Sequence, residues 1–121
     1  MKRSAYKTLG QLYAAYHEVN QSRFGMLLPM LPIFINPGVR KRQNSEEPEI
    51  AHLWTDDYTG APRYIEFWEH HALTDHWSYV RETLLHEVIH VWQAATGRKV
   101  AHDAVFRLMA KRLGVSGRAC D

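Results

Sequence analysis

The chain is organised around one stretch, Thr83-Leu84-Leu85-His86-Glu87-Val88-Ile89-His90-Val91-Trp92-Gln93. Its centre has the spacing H-E-x-x-H, which on a helix brings two histidines one turn apart on one face, within reach of one metal ion. Glu87 lies about 100° round the helix from His86, where it can act on a water at the metal without being a ligand. The other interpretation is an amphipathic helix with two hydrogen-bonded histidines and a solvated glutamate. Because polar groups on an otherwise apolar helix are costly to bury unless they bind something, we expect a zinc helix.

The composition is that of an ordinary globular protein. The chain has 121 residues and a mass of 14.1 kDa, with 45% hydrophobic and 23% charged residues, and we expect one domain over residues 1–121. No apolar run is long enough to span a membrane, and no apolar signal region follows the first three residues. The single cysteine, Cys120, excludes an internal disulfide and a cysteine-based metal cluster. These features favour a cytoplasmic location, with association with the nucleoid as an option.

Charge is segregated along the chain. Residues 1–42 carry a net charge of +6, residues 43–97 carry −8, and residues 98–121 carry +4. Basic ends around an acidic middle can give a cationic side suited to phosphates, although they can equally be the solvated faces of ordinary helices.

The hydrophobic pattern predicts an α+β fold. Its parts are an N-terminal helix, a small three-stranded mostly antiparallel sheet, the H-E-x-x-H zinc helix and a closing C-terminal helix. Thr74 is the predicted cap of the zinc helix, and glycines end both later helices. The predicted bounds are a helix from about Ser4 to Phe24, strands at 33–35, 50–55 and 63–68, a helix from Thr74 to Thr96 before Gly97, and a helix through Val105 and Leu113 before Gly114.

A catalytic zinc needs a third protein ligand, which must lie downstream. The pattern H-E-x-x-H-x-x-G-x-x-H is excluded, because Gln93 and Thr96 occupy its last two positions. A glutamate from the next helix is also excluded, because no glutamate follows Glu87. The remaining candidates are His102, Asp103 and Asp121. His102 is favoured because it is the only downstream histidine and because Gly97 allows the chain to fold back.

With these residues in view, the chain resembles the SprT-like metallopeptidases, which include Spartan-type proteases of DNA–protein crosslinks. The likeness rests on residues 83–90 and on His102-Asp103-Ala104-Val105-Phe106, which is similar to the family's His-Gly-x-x-Phe element. It extends to the first helix and to the stretch from Asn20 to Pro29. Asp103 replaces the family's usual glycine, and the cysteine-rich C-terminal zinc ribbon of many members is absent from this sequence.

The resemblance implies a zinc metalloendopeptidase. One Zn²⁺ per chain would be held by His86, His90 and His102, and Glu87 would be the general base for a zinc-activated water. The implied substrates are proteins bound or crosslinked to DNA, with single-stranded or junction DNA as a further partner, and we expect a monomer with no membrane partner. Two alternatives remain: a nucleic-acid-binding module with a structural zinc, and a cytosolic zinc peptidase without DNA dependence.

Two surfaces follow as expectations. The strand that leads into the zinc helix is the predicted edge for an extended substrate, and basic residues outside the acidic middle are the predicted DNA contacts. Candidates for oxyanion stabilisation are Tyr58, Tyr64, His76 and Arg98. The edge strand comprises Arg63, Tyr64, Ile65, Glu66 and Phe67, and the DNA contacts are Arg40, Lys41, Arg42, Arg98, Lys99, Lys111 and Arg112.

Overall fold

A computed structural model describes residues 2–41 and 48–116. The order of elements confirms the α+β prediction, with a helix, a three-stranded sheet and then further helices. One short helix, α2, was not expected, since residues 69–73 had no clear pattern. The elements are α1 (Ala5–Phe24), β1 (Ile33–Asn36), β2 (Ala51–Thr55), β3 (Pro62–Trp68), α2 (Glu69–Thr74), α3 (Trp77–Ala95) and α4 (Ala104–Leu113).

Helix α1 confirms the predicted N-terminal helix and fixes the start of the sheet. Ser4 caps it by accepting from the Lys7 N–H, and Gly25 ends it in the left-handed conformation, at φ 57°. Its buried Asn20 amide bonds both the N–H and the C=O of Leu28, each at 3.0 Å. The Tyr13 hydroxyl accepts from the Ile33 N–H at 2.7 Å. These bonds tie the loop after α1 to the helix and deliver β1 to the sheet.

The sheet has the order β1-β3-β2. β3 pairs with β1 in parallel and with β2 in antiparallel orientation, so the sheet is mixed. The expected antiparallel arrangement therefore holds for one of the two pairings. It fails for the other because β1 pairs with the third strand in sequence rather than with the second, which places β3 in the centre.

The start of the zinc helix differs from the prediction. Thr74 does not cap it but ends α2, and α3 begins at Trp77 with His76 as its cap. The break between the two helices lies at Asp75, where the backbone is extended. The Asp75 N–H donates to the His71 carbonyl, and its carboxylate contacts His71 Nδ1 at 2.7 Å. The His76 ring nitrogen Nδ1 then accepts from the Ser78 N–H. The end was predicted correctly, since Gly97 follows the helix at φ 75°.

Helix α3 packs on α1 and on the inner face of the sheet. Leu84, Val88 and Val91 are fully buried in the main core, together with Ile65 and Phe67 of β3. Helix α4 adds a smaller cluster, in which Phe106 and Ala110 pack on Ile89.

Within the described parts of the chain, every helix is too short or too polar to cross a lipid bilayer.

Candidate metal centre

The H-E-x-x-H face of α3 is buried. His86, Glu87 and His90 expose 2%, 5% and 8% of their surface, and α3 packs against the edge strand β2 at this point. Three ionisable side chains therefore sit in one buried patch, where an uncompensated charge is costly. Such a patch favours neutral imidazoles, which is the form that binds a metal ion.

Two of the three predicted ligands meet directly. His90 Nε2 and His102 Nε2 lie 3.0 Å apart, with ring centroids separated by 4.8 Å. His102 reaches this position from the loop before α4, where Asp103 caps the helix through a 3.0 Å bond from the Phe106 N–H. Asp103, which was a candidate ligand, is thus the N-cap of α4. The other candidate ligand, Asp121, lies outside the described residues.

His86 lies one turn before His90 on the same helix, and its Nε2 is 3.8 Å from Glu82 Oε1. All three histidine rings pack around Phe106, at centroid distances of 5.6, 4.9 and 4.8 Å for His86, His90 and His102. In this conformation, no three His, Cys, Asp or Glu side chains among residues 2–41 and 48–116 converge on one metal position. The structure thus brings His90 and His102 together, with His86 beside them against the same aromatic ring.

The donor set fits zinc. Tetrahedral coordination with Zn–N distances of about 2.0–2.1 Å separates two imidazole nitrogens by about 3.3 Å, close to the 3.0 Å between His90 and His102. Imidazole nitrogen is also a ligand type that suits zinc. Burial, as the largest cause, lowers the pKa of His90 to about 4; the hydrogen bond to Gln93 opposes this shift, and the neighbouring His102 and His86 contribute to it. At neutral pH this ring is therefore uncharged.

Glu87 is the buried acid of the patch. Burial, as the largest cause, and the charge of Glu49 raise its pKa to about 8, against the opposing effect of a hydrogen bond from the Leu53 main-chain N–H. Leu53 belongs to β2, so this bond joins the glutamate to the sheet. A carboxyl group with a pKa near neutrality has the proton affinity that a general base requires.

The prediction of an edge strand at 63–67 is wrong. These residues lie in β3, which is hydrogen-bonded to β1 on one side and to β2 on the other. In the part of the chain that the structure describes, the edge strand that packs against α3 is β2. The Trp68 N–H donates to the Ile50 carbonyl. In an antiparallel pair, successive residues of a strand point their main-chain groups alternately toward and away from the partner, so those of Ala51 and Leu53 point away from β3. The bond from Leu53 N–H to Glu87 agrees with this direction.

The oxyanion candidates do not gather around the histidines. Tyr58 is 98% exposed in the turn between β2 and β3, and Tyr64 packs with Phe34 and Trp54 on the outer face of the sheet. His76 caps the start of α3, about 15 Å along the helix axis from His86. The guanidinium of Arg98 lies 4.6 Å from the Trp92 ring centre.

The predicted DNA contacts lie on three segments. Lys99, Lys111 and Arg112 are exposed, whereas the Arg40 guanidinium lies 4.7 Å from the Trp54 ring centre and its Nε is 4.0 Å from Glu49 Oε2. Lys41 is exposed at an isolated bridge to Pro48, and Arg42 lies outside the described residues. Arg112 also lines a groove of about 260 Å³, whose other walls are Arg23, Met109 and Leu113.

The model of the SprT-like family matches residues 40–120. The chain therefore belongs to the SprT-like family, a membership consistent with a metallopeptidase-like domain. No curated protein and no solved structure showed significant similarity to the chain.

Proposed function

We propose that the chain is a zinc-dependent endopeptidase. The observation that carries the proposal is the 3.0 Å approach of Nε2 of the exposed His102 to Nε2 of His90, which lies in the buried patch that also holds Glu87. Two imidazole nitrogens at this distance, with a third histidine one helical turn away, provide the ligands of a three-histidine zinc site. SprT-like membership supports the same activity.

Each side chain has a defined task in this proposal. His86, His90 and His102 would hold one Zn²⁺ per chain, with His86 turning from Glu82 toward the other two rings. When bound, zinc would activate a water molecule, polarise the scissile carbonyl and favour the ionised form of Glu87. Glu87 would accept the proton of the attacking water and pass it to the leaving amine. Its bond from Leu53 N–H would keep the carboxylate directed at the site.

The substrate would lie along β2. An extended peptide can pair with a free strand edge through main-chain hydrogen bonds, and β2 is the edge strand that packs against α3. Ala51 directs its main-chain groups outward there and Leu53 its carbonyl, whereas the Leu53 N–H donates to Glu87. A bound peptide would therefore pass beside the catalytic glutamate.

The decisive experiment is a peptidase assay on the zinc-loaded protein beside the Glu87→Gln variant. Glutamine keeps the shape of the side chain and cannot take the proton, so turnover should fall by about 10²–10⁴-fold while zinc content stays unchanged. Thr83→Val is a suitable control, because it removes a buried hydroxyl of the same helix that bonds His71 rather than His86, His90 or His102. Unchanged turnover in Glu87→Gln would show that this residue is not the base. A fourth protein ligand to the zinc would instead favour the structural module.

Action on DNA-associated proteins, in the cytoplasm or at the nucleoid, is the finer part of the proposal. It is supported by family membership and by the groove where Arg23 and Arg112 lie together beside the exposed Lys111. Two guanidinium groups on one groove suit a phosphate. DNA would bind there and at the basic residues 40–42 and 98–99, whereas the peptide would bind at β2.

Salt dependence tests this part. Each phosphate contact should add about 0.7–0.9 to the slope of log affinity against log salt. Replacing Lys111 and Arg112 by glutamine should weaken DNA binding, and each replacement should lower that slope by about 0.7–0.9, the contribution of one phosphate contact. Zinc content and peptide cleavage should stay unchanged. Absence of DNA binding at low salt, or indifference to these changes, would leave a zinc peptidase without DNA dependence.

A further inference from the structure

Gln93 is a buried amide between two of the histidines and is only 1% exposed. It lies three residues after His90 on α3, and its side chain joins the ring of His90 to the loop that carries His102. Its Oε1 contacts His90 Nδ1 at 2.8 Å, and its Nε2 donates to the Ala101 carbonyl at 2.9 Å. The Ala101 N–H also points to Oε1, at 3.4 Å. One side chain thus contacts both sides of the candidate metal centre.

These contacts determine which nitrogen of His90 carries the proton. The Ala101 carbonyl can only accept, so the Gln93 amide must turn its NH₂ toward it. Gln93 Oε1, which can only accept, then faces His90 Nδ1, and that nitrogen must be the donor. In a neutral imidazole the other nitrogen, Nε2, then holds the lone pair. Nε2 is the atom that lies 3.0 Å from His102.

The second effect of Gln93 is on the loop. The connection from α3 to α4 is short and largely exposed between Thr96 and Val100. Gln93 holds it at Ala101, the residue before His102, and the Gln93 main-chain carbonyl accepts from the Arg98 N–H at 2.7 Å. Arg107 steadies the next residue by donating to the His102 carbonyl at 3.1 Å. Without the amide, the approach of His102 to His90 would lose its nearest support.

We propose that Gln93 is a positioning residue of the metal centre, which fixes the Nδ1–H tautomer of His90 and anchors the loop that presents His102. The inference rests on the proposed function, since it concerns the affinity of the same histidines for zinc. Gln93 touches neither the metal position nor a substrate. It acts through His90 and through Ala101.

Two substitutions separate the two effects. In Gln93→Glu a carboxylate oxygen still accepts from His90 Nδ1–H, but the donor to Ala101 is lost. In Gln93→Leu both bonds are lost. We expect Gln93→Leu to weaken zinc binding by about 10–100-fold, as is usual when the hydrogen-bond partner of a ligand is removed, and Gln93→Glu to fall between that variant and the wild type. Zinc affinity would be measured by competition with a chelator, with Thr83→Val as the control for a buried polar change on α3.

A direct measurement tests the tautomer without zinc or activity. Nitrogen NMR of the metal-free chain should show His90 protonated at Nδ1 in the wild type and in Gln93→Glu. If Gln93→Leu folds, it should show a mixture of the two neutral tautomers of His90. A ring protonated at Nε2 in the wild type would overturn the inference, as would zinc affinity in Gln93→Leu equal to that of the wild type. Failure of the wild type to bind zinc would refute the proposed function instead, because the tautomer is measured without metal.

Discussion

Two histidine clusters lie along α3, and they differ in what their ring nitrogens face. Near the start of the helix, His71 contacts Asp75 through Nδ1 at 2.7 Å and Thr83 through Nε2 at 2.9 Å, so both nitrogens face side chains that can satisfy them. Near the end, His90 contacts Gln93 through Nδ1 but turns Nε2 toward another histidine. A histidine whose two ring nitrogens are bonded to an acid and a hydroxyl has all its hydrogen-bonding groups satisfied and offers no nitrogen to a metal ion. A pair of imidazoles that face each other provides ligands for a cation.

The largest expected effect is the loss of zinc from the second cluster. His90→Ala or His102→Ala should lower zinc affinity by more than about 100-fold, since removing even an outer hydrogen-bond partner costs 10–100-fold. Chelator competition measures this. The matched change in the first cluster, His71→Gln, should leave zinc affinity unaltered. Full zinc occupancy in a His86→Ala/His90→Ala double variant would contradict the assignment of the site.

The first cluster should instead control stability and its dependence on pH. His71→Gln should lower the free energy of unfolding by about 1–3 kcal/mol, the cost of leaving a buried partner unsatisfied. Burial lowers the pKa of His71 below its ordinary 6.5, and Asp75 opposes this only in part. As pH falls below about 6.5, the unfolded chain binds a proton at this residue before the folded chain does.

Stability should therefore fall with decreasing pH in that window, and less steeply in His71→Gln. Chemical denaturation of both proteins between pH 7 and 5 measures the difference. The comparison isolates His71, because the other histidines are common to both proteins. Equal slopes would mean that the pKa of His71 is the same in the folded and the unfolded protein.

The smallest expected effect concerns Asp103, which stands between His102 and the closing helix. Asp103→Gly should cost only a few tenths of a kcal/mol, because glycine is a tolerated helix cap. Zinc content should be unchanged, since the carboxylate is bonded to the Phe106 N–H. Thermal unfolding and metal analysis of the purified variant test this. Loss of zinc in Asp103→Gly, with zinc retained in His102→Ala, would move the third ligand to Asp103.

Local patterns predicted the elements of this fold well. The helix at 5–24, the glycines after α3 and α4 and the cap at Asp103 all follow from spacing and capping chemistry within a few residues. The family likeness drawn from residues 83–90 and 102–106 also agrees with the match of the family model.

The errors came from contacts between distant residues. The central position of β3 depends on its pairing with β1, about thirty residues earlier, which no local pattern records. The break before α3 depends on the bond between Asp75 and His71, whereas Thr74 had the residue type of a helix cap.

The role of Gln93 was missed from the sequence, where this residue served only to exclude a glycine-containing pattern. Its partner Ala101 is brought near by the turn after α3. Tyr6 is 87% exposed although Thr8 is fully buried, because residues two apart on a helix lie on nearly opposite faces.

The separate small cluster of α4 has a consequence for the order in which parts of the molecule open. Only Phe106 and Ala110 of this helix are fully buried, so α4 can detach at a smaller cost than the unfolding of the main core. His102 lies immediately before α4, whereas His86 and His90 belong to the core helix. A metal ion bound to all three would link α3, which belongs to the main core, to α4, whose buried residues belong to the smaller cluster. Release of metal and fraying of the C-terminal helix would then be one event, observable as a shared rate in hydrogen exchange and in chelation.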